Sequence, residues 1–235
     1  MIIERQLQFS TLKEKSNVIN LHGSKSKSSE EYLEVQCLYR AATQDIIKKL
    51  ETVNLTFNQI FHRDLIHHME SRLKTPESIY NKLKRRGYEP SIKNAREVLT
   101  DIAGIRVICH YIDDVYSITD MLCNQGDIKL VRTRDYIKNP KPNGYRSLHI
   151  VVTIPINLQG KVTIIPVEIQ IRTIAMDFWA SLEHQIHYKN TEYAPEGLLD
   201  RLKSCSDRIA QIDEEMQNIN KEIQLHDLPA KDRSF

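Results

Sequence analysis

Apolar residues recur along the chain with two different periods, and the change of period divides it. From Glu30 to about Leu50 they fall at helical spacing, with Leu33, Cys37, Leu38, Ala41, Ile46 and Leu50 on one face. A second helix is expected over Ile60 to Arg72. Thr75-Pro76-Glu77-Ser78 opens another, with Thr75 as N-cap and proline at the first position, running to about Arg86 and stopping at Gly87. A short helix follows near Ser91–Leu99. Then the period becomes two. Ile105–Tyr111, Ile128–Arg132, Ser147–Ile154 and Lys161–Arg172 read as strands, with Pro166 implying an edge or bulge in the last. Val115–Cys123 reads as a crossover helix, and helix returns at Ile174–Lys189. The centre is expected to be an α/β or α+β core, a mixed sheet of four to five strands flanked by helices.

The ends differ from the centre. Residues 1–20 show no clear period, and the following Gly23–Ser29 stretch is polar and linker-like. Near the other end, Leu198, Leu202, Cys205, Ile209, Ile212, Met216, Ile219 and Ile223 alternate in steps of four and three. That is an a/d seam about 39 Å long at helical rise, narrow enough to suit one partner helix and so to suggest self-association. The organisation expected is an N-terminal segment over 1–29, a catalytic-type domain over 30–190, the heptad helix over 191–225 and a tail over 226–235.

Composition refines this picture without redirecting it. The 235 residues carry a net charge of +2, yet Arg72–Arg106 holds nine Lys/Arg against four Asp/Glu. Such a local excess suits a polyanionic ligand at one place better than a surface that coats nucleic acid. Cys37, Cys109, Cys123 and Cys205 are scattered, with no zinc-ligand spacing, no leader-like segment and no membrane-length apolar run. A cytosolic protein with free thiols is expected. His62, His67 and His68 lack partners in a metal-ligand pattern and read as a solvated helix face.

The chemistry-bearing residues cluster in short stretches. Arg134 to His149 packs Arg134, Lys138, Lys141 and Arg146 with Tyr136 and Tyr145 around Pro-Lys-Pro-Asn-Gly, a sequence that forces a loop. Cations and a flat ring there suit a purine nucleotide, although a plain solvated hairpin would look similar. In Arg72-x-Lys74-x-x-x-Ser78-x-x-x-Lys82, Ser78 and Lys82 share a helix face and Lys74 stands at its start, a natural place for phosphates. Asp101-Ile-Ala-Gly104-Ile-Arg106 puts a carboxylate where a strand begins, a usual Mg²⁺ ligand position. Along Val167–Arg172, Glu168, Gln170 and Arg172 share one face, and Ser147 and His149 carry polar groups at the same period. A carboxylate at their convergence suits a general base or second metal ligand. Trp179, Glu183 and His187 follow at helical spacing, Trp179 as core and Glu183 as a candidate for lining the site.

Taken together, these five ordered stretches resemble the synthetase domain of the Rel family of (p)ppGpp synthetases, and more narrowly the small alarmone synthetases of the RelP/RelQ kind. The matching residues are Arg72-x-Lys74-x-x-x-Ser78-x-x-x-Lys82, Asp101-x-x-Gly104-x-Arg106, Arg134-Asp-Tyr-Ile, Gly144-Tyr145-Arg146-Ser147-x-His149 and Glu168-Ile-Gln170-Ile-Arg172-Thr173. They span roughly half the chain. The resemblance implies a nucleotidyltransferase-like sheet and transfer of the β,γ-diphosphate of ATP to the 3′-hydroxyl of GDP or GTP, releasing AMP, as in the stringent response. It implies that Arg72 and Arg106 flank adenine, that Lys74, Ser78 and Lys82 hold the ATP phosphates, and that Asp101 holds Mg²⁺. On the acceptor side it implies that Tyr145 stacks on guanine, with Arg134, Lys141 and His149 near phosphates and ribose. Glu168 would ligate metal or deprotonate the 3′-hydroxyl, and Gln170 would position it.

The charge balance agrees with these implied roles. Two nucleotides bring together about seven negative charges, and each close like-charge pair costs about 4 kcal/mol at an effective dielectric near 20. A homo-oligomer, a tetramer by resemblance, is also implied. The metal-dependent hydrolase and regulatory domains of larger relatives have no room here, so synthesis without degradation is expected. His226-Asp227 stands as a single His-Asp pair in the tail. Diphosphate transfer to a tRNA 3′ end and a non-catalytic nucleotide- or RNA-binding module remain as alternatives. Neither RNA nor a membrane is indicated as a partner, because the net charge of +2 offers little basic surface.

Overall fold

The structure is a computed structural model that describes residues 27–189 and 197–227. Residues 1–20 and the first part of the polar stretch lie outside the described residues. Helix α1 (Lys27–Phe61) starts within that stretch and is followed by strand β1 (Ile66–Leu73), helices α2 (Pro76–Arg85) and α3 (Ile92–Val98), and strand β2 (Ala103–Cys109). Helix α4 (Ile112–Cys123) then crosses to β3 (Lys129–Asp135), β4 (Leu148–Leu158) and β5 (Lys161–Thr173), before α5 (Ile174–Lys189) and α6 (Leu198–Asp227). The five strands form one mixed sheet in the order β1-β2-β5-β4-β3, with β2 and β5 parallel and the other pairs antiparallel.

The expected helix over Ile60–Arg72 is corrected by the structure. Helix α1 runs on to Phe61, and the following residues form β1. His62 takes a left-handed φ of 55° just past the helix end. Asn54 then accepts hydrogen bonds from the backbone of Leu65 (2.8 Å) and Ile66 (2.9 Å), which pins the reversal into the strand. Strand β1 is polar, lies at the sheet edge and has a register shift between Ile66 and His68. Its residues therefore never show a clean period of two. His67 and His68 are strand residues rather than part of a helix face.

Helix α1 also buries a face somewhat different from the expected one. Val35, Leu38, Tyr39, Ala42, Ile46 and Leu50 are buried, whereas Leu33 and Cys37 are exposed. This stripe packs with α4 on one side of the sheet, against Ile105, Val107, Ile150, Val152, Ile169 and Ile171. Leu83 of α2 and Ala95 of α3 join the same core. Helix α2 forms as its cap predicts, with Thr75 Oγ1 accepting from the Ser78 backbone N–H at 3.2 Å and proline in the first turn. Pro166 pairs with Thr153 on β4, while pairing to β2 begins only at Val167. It therefore sits where β5 has a single neighbour, and its missing N–H interrupts no second ladder.

With the aliphatic side covered, strand register sets the polar side. One cross-strand row reads Glu70, Arg106, Gln170, His149 and Arg134. The next reads Arg72, Gly104, Glu168, Val151 and Arg132. Residues paired directly across a sheet point to the same face, so five distant sequence stretches converge there.

Candidate active site

A cleft opens on the polar face where β1, β2 and β5 meet. Arg72, Lys74, Asp101, Gly104, Arg106, Glu168 and Gln170 line it, together with Glu70, Ser71 and Ile105. Gly104 lies in register between Arg72 and Glu168, and its missing side chain leaves the floor open between them. Of the predicted ATP-side residues, Lys82 meets this lining only through its ion pair with Asp101, and Ser78 is absent from it. Ser78 is exposed and accepts a hydrogen bond from the Thr75 hydroxyl at 2.9 Å.

Asp101 organises the cations. One of its oxygens, Oδ2, accepts from Lys74 Nζ at 3.0 Å and also from Lys82 Nζ. Lys82 is brought in by α2, and Lys74 is fixed through its backbone N–H to Ile102 O at 2.8 Å. Burial works against ionising Asp101, but the hydrogen bonds and charges of Lys82 and Lys74 outweigh it and hold the carboxyl below the ordinary aspartate range. The result is a carboxylate and two ammonium groups concentrated at the cleft.

Arg172 joins this cleft to the loop that carries Tyr145. It is almost wholly buried and donates to Gln170 Oε1 (3.0 Å), Tyr145 Oη (3.1 Å) and Asp177 Oδ1 (3.3 Å). Arg106 donates to Glu70 at 3.3 Å and lies 4.0 Å from Asp177. Gln170 in turn donates to Glu168 Oε2 at 3.3 Å. The Nε atoms of Arg106 and Arg172 are buried and find no hydrogen-bond partner among the described residues. In the sequence Arg172 stands in the β5 alternation and in the Glu168-Ile-Gln170-Ile-Arg172-Thr173 stretch, with no role of its own attached to it. Asp177, on α5, carried no signal.

The loop itself forms an aromatic cluster. Tyr145 meets His149 with ring centroids 5.7 Å apart, and Tyr136 lies 5.2 Å from His149 and 6.1 Å from Tyr145. Lys141 Nζ stands 4.6 Å from the Tyr145 ring centroid and 4.8 Å from that of Tyr136. Asp135 shapes the turn by accepting from the backbone of Ile137 (2.9 Å) and Lys138 (3.0 Å). Arg134 is exposed beside His149 in the β3–β4 register. Glu183 reaches the loop through Asn143, which donates to it at 3.2 Å. Trp179 is buried and donates to Leu202 O at 2.9 Å, joining α5 to α6. The His187 side chain lies outside the description.

The Tyr145 oxygen accepts from Arg172 and shares a hydrogen bond with His149 Nε2, 2.8 Å away. The imidazole pKa is pushed down from 6.5 to about 3, first by burial and then by Arg172, Lys141, Arg134 and Arg132. His149 is therefore a neutral hydrogen-bonding group near pH 7 and no proton donor. The unfolded chain binds the extra proton between these two pH values. The stability linked to neutral His149 is thus complete above about pH 6.5 and declines as pH falls towards 3. His149→Gln should give a melting temperature that falls less steeply than wild type below about pH 6.5. Parallel slopes in a pH series of thermal melts would contradict a buried neutral imidazole.

The fold and cleft define a class, a mixed-sheet protein whose polar face carries a lysine-flanked carboxylate cleft beside an aromatic, cation-covered loop. Residues 71–193 match the family model described as the region found in RelA / SpoT proteins, and the chain belongs to that family. It is 44% identical over 186 residues to GTP pyrophosphokinase YwaC of Bacillus subtilis (strain 168), covering 79% of this chain and 89% of that one. GTP pyrophosphokinase YjbM of the same organism is 36% identical, with 79% and 87% covered. Among solved structures, small alarmone synthetase 2 from Bacillus subtilis aligns with a TM-score of 0.73 and 41% identity, covering 82% of this chain and 99% of that one. Small alarmone synthetase 1 bound to its product pppGpp aligns at 0.74 and 34%, covering 83% and 99%. The same synthetase bound to AMPCPP aligns at 0.69 and 31%, covering 83% and 98%.

Proposed function

We propose that the protein is a (p)ppGpp synthetase that transfers the β,γ-diphosphate of ATP to the 3′-hydroxyl of GDP or GTP and releases AMP. The observation that carries this reading is one sheet face that holds a lysine-flanked carboxylate cleft and an aromatic, cation-covered loop, joined by Arg172. Phosphoryl-type transfer requires positioning and charge neutralisation more than covalent chemistry, and the cleft is rich in both. Lys74 and Lys82, with Arg72 and Arg106 beside them, take the ATP side. Tyr145, Lys141, Arg134 and His149 take the guanine side, with Glu183 steadying the loop through Asn143.

Glu168, flanked by both halves, takes the proton of the 3′-hydroxyl, and Gln170 orients it. Two carboxylates beside a phosphate cradle are a donor set suited to Mg²⁺, which characteristically takes one or two protein carboxylates and completes its shell with phosphate oxygens and water. Asp101 and Glu168 would hold the ion, which would supply charge neutralisation on the transferred group. The test is an incubation with labelled ATP, Mg²⁺ and either GDP, GTP or deacylated tRNA. AMP release with labelled guanine nucleotide is expected. Label on tRNA alone, or no AMP with any acceptor, would overturn the proposal.

The assembly is proposed to be a homo-oligomer built partly on α6. Of the predicted seam, Ile212, Met216, Ile219 and Ile223 are 62%, 49%, 41% and 55% exposed, an apolar stripe that the described residues leave open to solvent. Ile212→Asp should lower the mass measured by light scattering, and an unchanged mass would assign the stripe another role. Residence in the cytosol remains part of the proposal; among the described residues, no helix is long and apolar enough to cross a membrane.

A further inference from the structure

Arg146 reads in the sequence as one more cation offered to phosphates. The structure gives it a different task. Its guanidinium donates to Ser206 Oγ (2.8 Å), Asp207 Oδ1 (3.1 Å) and Gly144 O (3.2 Å), so both terminal nitrogens are directed at α6 and the loop backbone. Ser206 is buried and donates to Gly144 O at 2.6 Å. Gly144 has a φ of +93°, and a Cβ there would lie 2.7 Å from Ser206 Cβ. The loop tip is thus pressed against α6 so closely that no side chain fits between them. Tyr145, the ring assigned to guanine, is held between the two clamped residues.

We infer that α6 is a positioning element for the acceptor side, holding Tyr145 in place through Ser206 and Asp207 acting on Arg146 and Gly144. This rests on the proposal that the loop receives the guanine nucleotide. A stacking ring contributes more affinity when its plane is fixed before the base arrives, because a loop ordered during binding spends interaction energy on its own entropy. Helix α6 has a second polar anchor that never touches the loop. Gln217 accepts from the Asp113 backbone at 2.9 Å and donates to its carboxylate at 3.1 Å. General docking of the helix and the loop clamp are therefore separable by mutation.

The experiment compares KM for ATP and for the guanine nucleotide in Arg146→Gln, Ser206→Ala, Gln217→Ala and Tyr145→Ala, with GDP binding to the same full-length proteins measured by calorimetry. Loss of a charge-assisted hydrogen bond predicts that Arg146→Gln raises guanine KM and GDP Kd about tenfold, with Ser206→Ala in the same direction and ATP KM within about twofold. Arg146→Lys should recover part of the loss, and Gln217→Ala should leave guanine KM unchanged. An unchanged guanine KM in Arg146→Gln, an equal rise in both KM values, or a Gln217→Ala variant that reproduces the effect would overturn the inference. If Arg146→Gln does not fold, Ser206→Ala and Arg146→Lys carry the same comparison. A Tyr145→Ala variant with unaltered guanine KM would sink the acceptor assignment and the clamp with it. A damaged Tyr145→Ala beside a normal Arg146→Gln would sink the clamp alone.

Discussion

Glu168→Gln should lower turnover by about a thousandfold, the range expected when a general base or a metal-ligand charge is removed from a transfer reaction. GDP affinity should stay within about threefold, because the substitution is isosteric and the aromatic cluster lies elsewhere on the face. Glu168 sits in the row between Gly104 and Val151, and its Oε2 accepts from Gln170 at 3.3 Å. A glutamine there retains the volume but loses the negative charge and the proton-accepting carboxylate. A drop in kcat with preserved binding therefore separates chemistry from recognition. Normal turnover would mean that Glu168 is neither base nor essential ligand.

Asp101→Asn should have an effect of similar size and a different signature. The wild-type carboxylate gathers Lys74 and Lys82 on one oxygen. Removing its charge leaves two ammonium groups without the carboxylate that neutralises them, a repulsion that a bound triphosphate would relieve. The variant should therefore bind ATP more tightly than wild type in the presence of a chelator, while losing about a hundredfold or more in turnover with Mg²⁺. Its activity should also respond weakly to added Mg²⁺. An unaltered Mg²⁺ titration curve would remove Asp101 from the metal site.

Parts of the molecule that follow a local rule were legible in the sequence. The strict alternation of Val167–Arg172 gave β5 and its polar face, and Thr75-Pro76 gave the start of α2. Parts decided by pairing were less so. Strand β1 is a polar edge with a register shift, and its residues fit a helix equally well until β2 lies beside them. Arg172 and Asp177 acquire meaning only from three-dimensional neighbours. Helix α6 shows the sharpest contrast. Its apolar seam was plain, yet the side that docks on the body is polar, with Ser206, Asp213 and Gln217 buried. Asp213 accepts from Thr173 at 2.6 Å, a bond that no pattern of hydrophobic spacing announces. The task of Arg146 stays hidden for the same reason, since a cation in a cationic loop gives no sign that its partner lies 60 residues away.

The central claim is that this sheet face moves a diphosphate, as a unit, from ATP to a guanine nucleotide. Two parallel reactions with GDP, one using ATP labelled at the α-phosphate and one using ATP labelled at the γ-phosphate, test it most directly. The α label should appear in AMP and the γ label at the 3′ position of the guanine product, in equal amounts. Gamma label released as free phosphate, or α label found in the guanine product, would contradict the account.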